Sequence, residues 1–589
     1  MIHFTVETDD LHAHLFDITL KVRQPAARQR VSLPVWIPGS YLVREFSKNL
    51  QGLLASQRGK PVAIKQLDKA SWEVECAAGQ ALELRYQVYA QDNSVRTAWL
   101  DAARGFFNGT SVCLRVDGQT DAPHQLRIKP PRGVKGWQLA TGLKALKTNT
   151  NGFGTYEAAH YDELADCPVE MGAFWSGSFK TCGIVHRFVV AGALPTFDGA
   201  RLLTDTQKIC EAEIRFWHPD IDKKGNKNKP LHKNYLFMLN AVDDGYGGLE
   251  HRNSTALICN RKDLPRRGGA GGDKAFDNGK LTDGYTTLLG LISHEYFHTW
   301  NVKRLRPAEF ARYDYSAENY TQLLWFFEGF TSYYDDLLLR RAGLIDAATY
   351  LKLLNKTINQ VMQTPGRLVQ SVAQSSFDAW VKYYRQDENT PNATVSYYTK
   401  GALVALCLDL TLRTKTKTTL DDVMRALWQR CQAGPVSQAD LLAVLQDLTG
   451  RSFEAEINAW VHSTAELPLK PLLQAAGVQV LEDPAQLAQA LGLRVSETAG
   501  IQVKTVLRGG AAEAAGFAAG DEWLGIQVGS SGWRIHKLDE IPLYAGAAPA
   551  KVTALVSRDK RLLELPLFIP AGETTWRLLV GKDEGLGWI

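Results

Sequence analysis

The run Tyr285-Thr-Thr-Leu-Leu-Gly-Leu-Ile-Ser-His-Glu-Tyr-Phe-His298 constrains this chain more than any other stretch. Its apolar opening predicts a buried helix, and helical residues four apart stack one turn above the other on the same face. His294 and His298 therefore offer two imidazoles to one point, with Glu295 beside them. This is the His-Glu-x-x-His arrangement in which the histidines bind zinc and the glutamate serves as general base. The same letters also fit a core helix whose two histidines hydrogen-bond to the protein itself.

A second segment decides between the two readings. A catalytic zinc takes three protein ligands and keeps a fourth position open. Downstream comes Trp325-Phe-Phe-Glu-Gly-Phe-Thr-Ser-Tyr-Tyr-Asp335, another apolar, aromatic helix in which Glu328 is the only acid before Asp335. A buried carboxylate is costly without a partner, and a metal ion is a good partner. Asp335 lies two turns beyond Glu328 on the same face, placed to accept the free N–H of a ligand histidine.

The segments HEYFHTWNVKRLRP and WFFEGFTSYYDD resemble those of the glycyl aminopeptidase family of metallopeptidases. Gly245-Tyr-Gly-Gly-Leu-Glu-His-Arg-Asn-Ser254 resembles the family's G-x-E-H-x-S segment, and Tyr397-Tyr-Thr-Lys-Gly401 its Y-x-K-G segment. The resemblance implies a gluzincin site: one Zn2+ per chain held by His294, His298 and Glu328, with Glu295 as base and Tyr398 steadying the oxyanion. It also implies that Glu250 holds a substrate's α-ammonium, with Gly247 and Gly248 on the same substrate-binding strand. His251 stands where related aminopeptidases carry Asn. The implied catalytic fold is thermolysin-like, a sheet half and a helical half with the metal between.

With 589 residues the chain exceeds a single core. The expectation is a multidomain α+β protein: an N-terminal β-sandwich-like domain over 1–170, a thermolysin-like peptidase domain over 171–466, and a PDZ-like domain with a tail over 467–589. A net charge of +4 with dispersed Lys and Arg points to neither nucleic acid nor an anionic membrane. Eight scattered cysteines, among them Cys113 in a strand-like run and Cys407 in a helix, read as small core residues in a reducing compartment. No basic n-region with an apolar core opens the chain, and no apolar run approaches a membrane span. The expected location is cytoplasmic.

Over 1–170, apolar and polar residues alternate, as in Phe16, Ile18, Leu20 and Val22 or Leu82, Leu84, Tyr86 and Val88, which predicts half-buried antiparallel strands. Pro34-Val-Trp-Ile-Pro-Gly-Ser-Tyr41 reads as a structural corner. Further on, Gly183–Val190 and Tyr235–Leu239 read as strands before an edge strand carrying Glu250. The glycine-rich stretch from Leu264 to Lys280 reads as a loop. After Glu328 the chain is helical, and Ser437 with Asp440 reads as a capping box.

Leu467-Pro-Leu-Lys-Pro471 reads as a linker. Beyond it, Leu491-Gly-Leu493, a strand from Ile501 to Val506 and Gly520-Asp521 resemble a PDZ domain in order. Leu491, Gly492 and Leu493 would form the loop that holds a peptide's C-terminal carboxylate. Three readings of the whole follow: an aminopeptidase acting on peptides with a free N-terminus, a PDZ-assisted endopeptidase, and a non-catalytic peptide-binding adaptor. The complete ligand and base set favours the enzymes.

Overall fold

Residues 1–8, 10–223, 231–268, 276–277, 280–581 and 587–588 are described by the computed structural model. Its contacts define two compact units: Met1–Tyr320 with Tyr334–Ile345 and Trp428–Val436, and Thr321–Tyr333 with Asp346–Leu427 and Ser437–Ile589.

The first unit opens as β structure. An eight-stranded sheet runs in the order Lys144–Thr148, Gly154–Ala158, His124–Ile128, Ile2–Glu7, Leu15–Val22, Leu82–Tyr89, Leu50–Gln57 and Lys60–Pro61, beside two four-stranded sheets. Phe16, Ile18, Leu20, Leu84, Tyr86 and Val88 are buried on one face of it, as period two requires. Within this sheet, among the described residues, only Ile2–Glu7 and His124–Ile128 pair in parallel. Two local features depart from plain alternation and from the strand expected at Cys113. Glu73 is buried because Arg28 and Arg30 pair with it, at 2.5 and 3.2 Å. Cys113 lies not in a strand but just after a one-turn helix, Gly109–Val112.

The same unit holds a five-stranded sheet ordered Trp175–Thr181, Ile184–Ala191, Asn234–Val242, Ser254–Asn260 and Gly247–Glu250. Its three inner strands are parallel and both edges antiparallel, so Gly247–Glu250 is a free edge on its outer side. The crossover between the second and third strands contains the amphipathic helix Gly199–Trp217, whose Phe216 and Trp217 pack on Phe297. Tyr296 fills the space between that layer and the sheet, edge-on to Tyr235 and hydrogen-bonded to His186 at 2.8 Å. Of the glycine-rich stretch, residues 269–275 and 278–279 lie outside the described residues.

The second unit is helical first. Helices Ala347–Met362, Thr399–Lys415 and Gln438–Thr449 belong to it, the last opened by the Ser437–Asp440 capping box. The expected linker is instead packed structure: helix Leu469–Ala475 begins inside it, with Leu469 and Leu473 buried. A sheet follows in the order Leu493–Ser496, Ile501–Val506, Glu522–Val528, Ala550–Arg558 and Arg561–Ile569. Side-chain amides from the helices satisfy backbone groups of this sheet and of the separate strand Thr574–Val580. Asn359 bonds both N and O of Trp576, and Asn392 bonds Val506 O and Arg508 N, all at 2.8–2.9 Å. Among the described residues no helix is long and apolar enough to cross a membrane.

Candidate active site

The helix Asp283–Phe297 is capped by Thr282, whose side chain accepts from Tyr285 N, and is anchored by buried Leu288, Leu289 and Ile292. Its last turn delivers His294, Glu295 and His298. The His294 Nδ1 lies 3.0 Å from Asp335 Oδ2, and the His298 Nδ1 lies 2.7 Å from the Asn301 carbonyl oxygen. Both partners are acceptors, so both Nδ1 atoms carry the ring hydrogen and both Nε2 atoms present lone pairs. Those Nε2 atoms face each other at 3.1 Å. Two bare acceptors repel at that distance unless a cation lies between them. Nitrogen ligands about 2.0–2.1 Å from a tetrahedral zinc ion stand roughly 3.4 Å apart.

The carboxylate of Glu328, buried at 2% exposure, completes the group. Ligand atoms of His294, His298 and Glu328 all lie within 4.8 Å of one another. Two imidazole nitrogens and a carboxylate oxygen are a donor set that zinc accepts, and the residues fit that ion. Helix Leu324–Arg341 carries both Glu328 and Asp335, so one rod supplies the cluster's carboxylate and the acceptor that orients the His294 ring. Burial pushes the Asp335 carboxyl up, and its bond with His294 pulls the other way.

The edge strand lies against Glu295. A Cβ on Gly248 would stand 2.0 Å from Glu295 Oε1, so only glycine lets this strand run beside that carboxylate. Arg96, from the N-terminal β domain, donates to the Gly248 carbonyl at 3.0 Å. Glu250 is 4% exposed, yet among the described residues it makes no hydrogen bond or ion pair. Its carboxylate rests on Gly39, where a Cβ would come within 2.5 Å of Oε1 and where φ is +92°. The Trp36–Tyr41 corner is structural as expected, with Trp36 Nε1 donating to the Asp314 carbonyl, but its glycine also walls the Glu250 site.

The turn after Glu250 is fixed by Asp166. Its carboxylate takes the Arg252 amide at 2.9 Å, Lys303 Nζ at 2.7 Å and His251 Nδ1 at 3.2 Å. Burial alone would raise the Asp166 carboxyl, but Lys303 and His251 hold it well below the usual carboxylate range. His251 is thus bound away from the cleft face of Glu250.

Tyr398 immediately precedes helix Thr399–Lys415. That helix crosses the Glu328 helix backbone to backbone: a Cβ on Gly401 would meet Trp325 O at 2.6 Å, and one on Gly329 would meet Gly401. Both glycines exist to permit this crossing. Burial first, and the Glu328 carboxylate next, push the Tyr398 hydroxyl well up, so it stays a proton donor. It stacks on Tyr383 and Tyr397, and its oxygen lies 3.4 Å from that of Tyr384. Tyr397 is fully buried, whereas Tyr398 is partly exposed.

In the C-terminal sheet, Leu491 ends helix Leu487–Leu491, Gly492 caps it at φ 72°, and Leu493 opens the edge strand. The Gly492 amide already donates to the Ala488 and Gln489 carbonyls, and its own carbonyl accepts from Leu507 N at 2.7 Å.

Sequence reasoning missed Gly39, Arg96, Asp166 and Lys303 as neighbours of the cleft. Only Gly39 left a signal, the Pro38-Gly39 turn beside Trp36. The others act across more than 80 residues of chain, where no spacing rule reaches.

Convergent imidazole acceptors, a buried carboxylate and a second carboxylate at the mouth define a metal-dependent hydrolase centre. The family model described as the Peptidase M61 N-terminal domain matches residues 3–173, and that described as M61 glycyl aminopeptidase matches residues 287–404. An aminopeptidase N family protein from Idiomarina loihiensis, known as a crystal structure, is 37% identical over 100% of both chains with a TM-score of 0.90. A mutant M1 zinc metallopeptidase from Deinococcus radiodurans is 16% identical over 80% of this chain and 94% of its own, with a TM-score of 0.47. No curated protein sequence matches the chain. The chain belongs to the M61 peptidase family.

Proposed function

We propose that the protein is a zinc-dependent aminopeptidase that releases the first residue of peptides with an unblocked N-terminus, small residues such as Gly and Ala above all. The observation that carries this reading is Glu250. A nearly buried carboxylate without an ion-pair partner, two residues along the strand from the glycine that faces Glu295, is a receptor for a cation of matching size. A peptide's α-ammonium is such a cation, and it lies one residue from the bond to be cut. The family's description as glycyl aminopeptidase supports the preference for a small first residue.

His294, His298 and Glu328 would hold the zinc ion, with Asp335 and the Asn301 carbonyl fixing the two rings. When bound, such an ion lowers the pKa of its water to about 7 and polarises a carbonyl. Glu295 accepts the proton of the attacking water and passes it to the leaving amine, which one carboxylate can do in sequence. Tyr398, kept protonated, donates to the developing oxyanion, an interaction worth about 3 kcal/mol. The outer side of Gly247–Glu250 offers main-chain groups to an extended substrate.

The C-terminal module belongs to the same proposal as a PDZ-like fold, supported by its element order and by the edge strand Leu493–Ser496. The bonded Gly492 amide favours a packing role over carboxylate capture. A cytoplasmic setting is supported by five cysteines used as buried core residues.

The test compares Gly- and Ala-peptides with their N-acetylated forms, after chelation and after zinc add-back. Cleavage of the free peptides alone, restored by zinc, is the expected result. Equal cleavage of acetylated peptides would make the protein an endopeptidase, and no cleavage of either would make it an adaptor.

A further inference from the structure

Tyr246 is an aromatic side chain that packing does not account for. It is 63% exposed, and among the described residues it makes neither a hydrogen bond nor a ring contact. Gly245 and Gly247 flank it: Gly245 is pressed on Val242 and Ile258, and Gly247 has φ +154°. The ring therefore projects from a firmly seated backbone rather than folding down onto neighbours.

Its direction follows from the strand. Within the strand Gly247–Glu250, Gly248 and Glu250 share one face and Leu249 is fully buried on the opposite one, and Tyr246 stands immediately before the strand. Gly248 and Glu250 face the cleft. Burial first, and then the charges of Asp335, Asp336 and Glu295, push the Tyr246 hydroxyl up, so its oxygen sits toward the cleft while the ring face stays exposed.

The order of groups along the strand sets the polarity of a bound peptide. Its N-terminus lies at Glu250, and the bond under attack lies by Glu295, opposite Gly248. The leaving portion must then run toward lower numbers, antiparallel to the strand, and the next position on the cleft face is Tyr246, about 6.7 Å on. We propose that Tyr246 is the platform for the second residue of the peptide, selecting substrates whose second side chain is aromatic or large and apolar. Such a side chain covers an aromatic face that is otherwise open to water, whereas glycine leaves it uncovered. The inference rests on the aminopeptidase reading and adds to it the leaving side of the bond.

The experiment measures kcat/KM for unblocked Gly-Phe-amide and Gly-Gly-amide with the zinc-loaded full chain, its Tyr246→Ala variant and its Tyr246→Phe variant. Metal content and thermal melting serve as folding controls. The wild type should favour Gly-Phe-amide by about tenfold or more. Tyr246→Ala should bring the ratio near one, and Tyr246→Phe should keep it. If Tyr246→Ala does not fold, Tyr246→Gln is read in its place. A wild-type ratio near one, or a ratio unchanged in Tyr246→Ala, overturns the inference while leaving the aminopeptidase reading intact. Equal cleavage of acetyl-Gly-Phe-amide by the wild type overturns that reading, and the assignment of Tyr246 with it.

Discussion

The protein has two sheet edges of similar length at which a peptide could add a strand, Gly247–Glu250 and Leu493–Ser496. They differ in what they leave unsatisfied. The first presents a buried carboxylate that makes no direct ion pair among the described residues, with Lys303 acting on it only at longer range, and a glycine face against Glu295. The second begins with an amide that is already bonded and carries no buried charge toward its outer side. An edge provides affinity in principle, but chemistry comes from the groups that the fold declines to pair.

The largest effect should come from Glu295→Gln. Peptide hydrolysis is expected to fall about 10³- to 10⁴-fold, while metal analysis still finds one zinc per chain. Loss of zinc along with activity would show that Glu295 holds the site together instead. Glu250→Gln is next. The amide keeps the shape but not the charge, and kcat/KM on unblocked peptides should fall about 100-fold. An equal fall on acetylated peptides would break the distinction drawn for this edge. Gly248→Ala should displace Glu295 and cost roughly 10- to 100-fold in kcat, with thermal unfolding nearly unchanged.

The anchors of the two edges allow smaller tests. Asp166→Asn removes the acceptor that binds Lys303, His251 and the Arg252 amide. Breaking such a buried pair costs about 3 kcal/mol at pH 7. Because the folded-state carboxyl is held low, its contribution is present above the unfolded value near 4 and is lost as pH falls below it. Wild type and variant should therefore converge in denaturant titrations as the medium is acidified. A constant gap down to pH 3 would mean that geometry, not charge, fixes the turn. Asn392→Ala, at the other edge, should lower stability by about 1–2 kcal/mol by stranding Val506 O and Arg508 N, visible in thermal unfolding.

The His294, His298 and Glu328 cluster was legible in the sequence because helix periodicity alone puts His294 over His298, and because Glu328 is an acid that an apolar helix cannot otherwise hold. Asp335 was legible for the same reason, one heptad further on the same rod. The strands of the N-terminal sheet were legible from period two. Glu73 escaped because its partners, Arg28 and Arg30, sit on a neighbouring strand. Helix Leu469–Ala475 escaped because Pro468 and Pro471 mimic a tether, although proline is tolerated where a helix begins. Arg96, Asp166 and Lys303 escaped because they meet the cleft only through tertiary packing.

One consequence concerns turnover. A long, β-branched border would hold an incoming chain tightly and release fragments slowly. Here the border is four residues long, half of them glycine, and poor at sustaining a ladder. Contact with any visiting peptide should be brief, so that the protein lets go of what it has cut and resists being clogged by the products it makes.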